Sequence, residues 1–131
     1  MKLNILESIV REIGADSAAI MAPDKANGHL FCYTSFNMPQ EWVGIKNSFD
    51  EDTPGGNVEA YKTGQAIITN YLQKMLEGYY IESIMVVPIK RGEDIVATLE
   101  VIHDRANETF TKGDLQIVQQ FADKLATKLV L

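Results

Sequence analysis

The sequence predicts an α+β fold: an antiparallel sheet with helices from both ends of the chain packed on it. Three observations carry this. Ile84–Ile89 and Ile95–Ile102 are Val/Ile-rich runs separated by the polar stretch K-R-G-E-D, which reads as a hairpin of two long, central strands. Apolar residues recur at helical spacing near both termini. Between these regions lie short segments punctuated by Gly, Asn and Pro.

Taken in order, Leu3, Leu6, Ile9, Val10 and Ile13 share one face of an N-terminal helix, with Lys2, Glu7, Arg11 and Glu12 between them and Gly14 as the stop. The small residues of Asp16–Pro23 fit a strand packed closely under a helix. Asp24–Gly28 (D-K-A-N-G) is turn chemistry, leading into the aromatic and β-branched partner strand His29–Phe36. Pro39 opens a short helix, with Trp42, Val43, Ile45 and Phe49 on roughly one side of Gln40–Phe49. An acidic loop, F-D-E-D-T-P-G-G-N, follows. Asn57–Lys62 is a short helix stopped by Thr63-Gly64, Ala66–Thr69 a brief strand, and Tyr71–Leu76 a turn of helix before Gly78. After the central hairpin, Asp104–Phe110 is a polar connection. Thr111 and Asp114 then form a capping box for a long helix with Leu115, Val118, Phe121, Ala122, Leu125 and Leu129 on one face.

Composition narrows the function classes. The 131 residues suit one domain, 1–131, and 46% hydrophobic with 23% charged residues marks a folded rather than a disordered chain. No apolar run approaches the ~20 residues that span a bilayer, and Glu7 and Arg11 interrupt the N-terminal stretch as in an amphipathic helix, not a signal peptide. A cytoplasmic location without membrane contact is expected. A net charge of −6 opposes nucleic-acid binding. Cys32 is the single cysteine, so no internal disulfide forms, and its spacing from His29 and His103 matches no zinc motif, so no metal is expected. Both ends fall within amphipathic helices, as expected of a piece of a longer protein.

Several stretches together resemble the GAF domain, a small-molecule-sensing and regulatory module. They are S-I-M-V-V-P-I at 83–89, Gly92, I-V-A-T-L-E-V-I at 95–102, F-T-K-G-D-L at 110–115 and Q-F-A-D-K-L-A at 120–126. T-G-Q at 63–65 and Gly55-Gly56 match the middle of the family's pattern; Ala97 stands where the family usually has glycine. The resemblance implies an antiparallel sheet of about six strands, the terminal helices on one face, and an irregular helical segment covering a pocket on the other. A PAS-like arrangement is the neighbouring alternative. By alternation, Ile95, Ala97, Leu99 and Val101 belong under the helices, and Val96, Thr98, Glu100 and Ile102 face the pocket.

Glu100 is the sharpest candidate for ligand binding. It interrupts an apolar strand where cyclic-nucleotide-binding members of the family place a ligand-contacting Glu; the alternative is a solvated charge at the sheet rim beside Thr98. The rest of that nucleotide pattern is absent. His103-Asp104 replaces Asn-Lys, only Phe110 and Asp114 are kept, Ala19 replaces a contacting Ser, and Ile81 makes a nucleotide-contact position apolar. Gly55-Gly56 before Asn57 presents amides to a ligand or simply turns the chain. Trp42, Phe49, Tyr61, Tyr71 and Tyr79 stack on a ligand or form a minor core. Ser35 completes the candidate set.

Catalysis is not expected. Free methionine sulfoxide reductases of this fold use several cysteines, and one thiol in mid-strand does not complete their cycle. The L-F-C-Y-T context of Cys32 is unlike that of pigment-attaching relatives. His103 and Asp104 point to opposite faces, and His29 is expected in solvent. No cofactor is identified. The expected function is a non-catalytic sensor of an unidentified small molecule in signal transduction or transcriptional control. It would signal through terminal-helix packing to a fused or separate output domain, as a homodimer through those helices. The alternative is a ligand-free dimerisation module, for which Ile5, Ile117, Lys124 and Lys128 lie off the buried stripes.

Overall fold

The computed structural model describes residues 5–51 and 56–129. The expectations for Lys2, Leu3, the acidic loop at 52–54 and Gly55 lie outside the described residues. The elements are α1 (Ile5–Ile13), β1 (Ser17–Asp24), β2 (His29–Phe36), α2 (Gln40–Val43), β3 (Asn47–Ser48), α3 (Asn57–Thr63), β4 (Ile67–Thr69), β5 (Lys74–Leu76), β6 (Tyr79–Ile81), β7 (Ser83–Arg91), β8 (Asp94–His103) and α4 (Lys112–Lys128). Six strands form one antiparallel sheet in the order β3-β2-β1-β8-β7-β4, and β5 and β6 pair apart from it. No helix among the described residues is long and apolar enough to cross a membrane.

The central hairpin is longer than its apolar runs. Arg91 pairs with Asp94, which leaves Gly92 and Glu93 as a two-residue turn with Gly92 at φ +61°. One face of the sheet carries α1 and α4. Leu6 and Ile9 from α1 and Val118, Ala122 and Leu125 from α4 close over Ala97, Leu99 and Val101, all essentially inaccessible. Burying each large aliphatic side chain here contributes about 1.5–3 kcal/mol. Ile5, expected off the buried stripe, is half-buried and packs against this core.

Both ends of α4 are secured by side chains. Asp114 N donates to Thr111 Oγ1 at 3.1 Å and Thr111 N to Asp114 Oδ2 at 2.9 Å, which completes the capping box. At the other end Arg91, read from the sequence as loop, donates through Nε to Ala126 O at 2.6 Å and through Nη2 to Leu129 O. A guanidinium there satisfies carbonyls that the helix end leaves bare and complements its negative pole.

Three expectations fail locally. A register shift at Ile89/Lys90 pairs Lys90 with Ile95 and Ile89 with Ala97, so Val96 is the extra residue of a bulge. Val96 then packs on the helix side, while Ile95 lies against Gly64 on the other. Tyr71–Leu76 is not helical, because Tyr71 and Gln73 have φ of 57° and 53°; Lys74–Leu76 instead pairs with Tyr79–Ile81 across Glu77-Gly78, both at positive φ. The helix after Pro39 stops at Val43 rather than continuing to Phe49, and Asn47–Ser48 joins the sheet edge beside β2.

Candidate functional site

The face opposite the terminal helices is covered by α2, β3, α3 and the β5–β6 hairpin. Strand register places Ser35, Ala19, Glu100, Val86 and Ile67 in one row across five strands, through the pairs Ser35–Ala19, Ala19–Glu100, Glu100–Val86 and Val86–Ile67. The next row holds Cys32, Met21, Thr98 and Pro88. Glu100 is therefore the one charge in these two rows.

Asn57, the first residue of α3, bridges them. Thr98 Oγ1 donates to Asn57 Oδ1 at 2.8 Å, and Asn57 Nδ2 donates to Glu100 Oε1 at 2.6 Å. All three side chains are buried. The local backbone depends on Gly56, which sits at φ +82°; a Cβ there would come within 2.9 Å of Ile67 Cδ1. Tight turning thus accounts for this glycine.

Glu100 Oε2 has no hydrogen-bond partner. Burial pushes the Glu100 carboxyl up to about 7; the Asn57 hydrogen bond pulls the other way. The Trp42 indole acts in the same sense as Asn57, more weakly. Glu100 is thus neither solvated nor at a rim, unlike the simpler of its two sequence readings.

Glu100 and Asn57 line a cavity of about 320 Å³. Trp42, Ile45 and Asn47 form one wall, and the β5–β6 hairpin contributes Met75, Leu76 and Glu77. Trp42 also meets Tyr79 edge-on, with centroids 6.0 Å apart. A cleft of about 370 Å³ on the outer side of α3, between Phe49 and Lys62, contains none of the buried polar side chains among the described residues.

Of the nine residues singled out in the sequence, Glu100, Asn57 and Trp42 line this cavity, and Thr98 reaches it through Asn57. Ala19 is fully buried at the same level, with Ser35 half-buried beyond it. Phe49 and Tyr61 stack on each other at 5.4 Å and pack with Leu30 and Val58 as core. Ile81 is buried among Ala60, Tyr79 and Ile84, and Tyr71 is exposed. The sequence reading missed Asn47 and the hairpin residues Met75, Leu76 and Glu77 as cavity wall. E-G between two short apolar runs was the available signal for that hairpin.

Other reactive groups stand apart from the cavity. Burial pushes the Cys32 thiol up; a Ser35 hydrogen bond opposes this and the Glu100 charge adds to it. A raised thiol is a poor nucleophile. His103 is buried against Phe110, its Nδ1 without a hydrogen bond and 4.0 Å from Asp16 Oδ2, while Asp104 accepts from Tyr79 Oη at 3.1 Å. His29, expected in solvent, is largely covered and lies 3.7 Å from Asp24. No cluster of metal-ligating side chains occurs among the described residues.

Comparison with known proteins places this architecture. The GAF domain family model matches residues 3–129. No curated protein matches the chain. The GAF domain of Acinetobacter phosphoenolpyruvate-protein phosphotransferase is 15% identical, with a TM-score of 0.78 over 94% of this chain and 75% of that one. The second GAF domain of DevS from Mycobacterium smegmatis is 15% identical, with a TM-score of 0.76 over 95% and 86%. The type II free methionine-R-sulfoxide reductase from Thermoplasma acidophilum is 16% identical, with a TM-score of 0.73 over 93% and 84%. At these identities the likeness is one of fold. With the family model spanning nearly the whole chain, and the six-stranded sheet carrying its terminal helices on one face, the chain belongs to the GAF domain family, whose members are generally regulatory or sensory domains of signalling proteins.

Proposed function

We propose that this domain binds a small molecule over Glu100 and reports it through the packing of α1 and α4. The observation that carries this reading is Glu100 Oε2: buried, unpartnered, and part of a residue lining a cavity. An unsatisfied buried polar atom costs about 1–3 kcal/mol, more when charged, and a ligand donor recovers it. The cover is built from short elements, four residues in α2 and three each in β5 and β6, which adjust more readily than the core beneath. A ligand that contacts both cover and sheet shifts the population toward one packing.

Two features support transmission to the helices. Leu99 and Val101, flanking Glu100 on β8, pack on the helix side. Trp42 meets Tyr79, whose hydroxyl lies 2.7 Å from Ser17 Oγ and donates to Asp104. Asp16 accepts from Asp104 N at 2.8 Å and pairs with Arg105 at 2.9 Å, and Arg105 donates to Gly14 O at the end of α1 at 3.2 Å. The helices in turn meet an output domain or a second copy of the chain, with half-buried Ile117 at the contact. On this reading the domain acts in the cytoplasm and is not catalytic. A ligand-free dimerisation module leaves the Glu100 oxygen without a purpose.

Native mass spectrometry of the protein as purified tests the reading. A mass increment lost on denaturation, and missing from Glu100→Gln, is expected. An increment that persists in Glu100→Gln would remove Glu100 from the site. If the protein reduces free methionine sulfoxide and Cys32→Ser abolishes turnover, the non-catalytic reading fails.

A further inference from the structure

The geometry points to a ligand class: we propose that the cavity over Glu100 takes a compact cation, an amidinium or primary ammonium carried on a flat apolar body. This rests on the reading that the cavity binds a ligand and goes beyond it by fixing the sign of the ligand's charge.

The donors and acceptors around the cavity are unevenly used. Asn57 gives one of its two Nδ2 hydrogens to Glu100 Oε1, and its Oδ1 accepts from Thr98. The buried polar atom on this cavity left without a partner is Glu100 Oε2, an acceptor when the carboxyl is ionised. The second charged residue on the cavity is also acidic, Glu77, and no Lys, Arg or His lines it among the described residues. An anionic ligand would meet a buried carboxylate with no cation to offset the repulsion. A cationic N–H donor would instead form a charge-assisted hydrogen bond, the strongest kind this floor can make.

The walls set the rest of the ligand. Trp42 offers an aromatic surface for a flat ring or a cation, and Ile45, Met75 and Leu76 offer apolar contact. About 320 Å³ is near the small end of ligand pockets, so the body is compact.

Protonation links to the same geometry. Burial holds part of the Glu100 population protonated near neutral pH. The other titratable groups toward it are Cys32 on β2 and Glu77 after β5; α2, α3, β1 and β7 bring Trp42, Asn57, Ala19 and Val86. A bound cation draws Glu100 into its ionised form, and the proton leaves to solvent. Cation affinity therefore rises with pH through the neutral range.

Three near-isosteric probes test this in solution: benzamidinium, benzamide and benzoate, followed by protein-detected NMR at pH 7.5. Benzamidinium is expected to shift the Trp42 indole and the Asn57 and Glu100 amides, and to bind about tenfold or more tighter than benzamide. Benzoate is expected to leave these signals in place. Glu100→Gln keeps the volume and removes the charge, so benzamidinium should weaken about tenfold while benzamide holds. If benzoate or benzamide equals benzamidinium at these residues, the charge assignment is overturned while ligand binding stands. If none of the three shifts them, the assignment is likewise overturned, and the mass of the protein as purified decides ligand binding separately. The probe series on the unaltered protein stands even where Glu100→Gln does not fold.

Discussion

Asn57 on α3 and Glu100 on β8 are 43 residues apart in sequence and 2.6 Å apart in the fold. This contact ties the cover of the cavity to the centre of the sheet. Because Thr98 holds the other end of the amide at 2.8 Å, the Asn57 side chain is fixed, and Glu100 is fixed with it. One carboxylate oxygen is satisfied and the other has no hydrogen-bond partner.

Asn57→Ala should therefore loosen the cover more than the core. It leaves a buried carboxylate oxygen and a buried hydroxyl without partners, a loss of about 1–3 kcal/mol in urea denaturation. Hydrogen exchange should quicken across Asn57–Thr63 and stay slow in β7 and β8. Equal protection of α3 in both proteins would show that the contact does not hold the cover down.

Stability should fall with rising pH in a window set by Glu100. Its carboxyl titrates at about 7 in the folded chain, against an ordinary value of 4.5. Between those values the folded state keeps a proton that the unfolded chain has released, so stability declines as pH rises. Below the window both states are protonated and this term vanishes; above it the loss is complete, on the order of 3 kcal/mol. Asp24 and Glu82, whose carboxyls are held low by Asn27 and Tyr80 respectively, slope the other way. Their terms are common to the protein and to Glu100→Gln, so the difference between the two stability profiles isolates Glu100. A flat difference from pH 4 to 8 would contradict the buried state of this carboxyl.

Gly56→Ala tests the hinge that delivers Asn57. The left-handed backbone alone costs an L-residue about 1–2 kcal/mol, and the new Cβ would press on Ile67 Cδ1 at 2.9 Å. A destabilisation of at least that size, with weakened benzamidinium binding, is expected. Gly92→Ala has the same backbone strain at φ +61° with open space around it, so it should lower stability without changing binding.

Tyr79→Phe separates binding from transmission. The hydroxyl joins Ser17 on β1 to Asp104 after β8, while the ring edge meets Trp42. Losing it should destabilise the fold by about 1 kcal/mol. Binding at the cavity should persist, while the change in α1 protection that accompanies binding is lost. A full α1 response in the variant would exclude the route through Asp16, Arg105 and Gly14.

The parts of this fold written in local chemistry were readable in the sequence. β-Branched runs gave the central hairpin, helical spacing gave α1 and α4, and Thr111 with Asp114 gave the start of α4. The cover was far less so. α2 spans four residues and β3 two, too short for any period, and they are held by what they pack on. Strict alternation placed Ile95 and Val96 on the wrong faces because a bulge at Ile89/Lys90 leaves no mark in the apolar pattern. At the site, Glu100 stood out as a charge inside an apolar strand. Its partner did not, since nothing local to Asn57 reveals a carboxylate 43 residues away.

Amide shift mapping on the isotope-labelled protein, with a fragment library spanning cationic, neutral and anionic compounds, tests the central claim most directly. Hits should converge on Trp42, Asn57 and Glu100, with secondary shifts reaching Gly14 and α4. Hits that map away from Glu100, or that move the cavity signals and leave α1 and α4 unchanged, would contradict ligand sensing through the terminal helices.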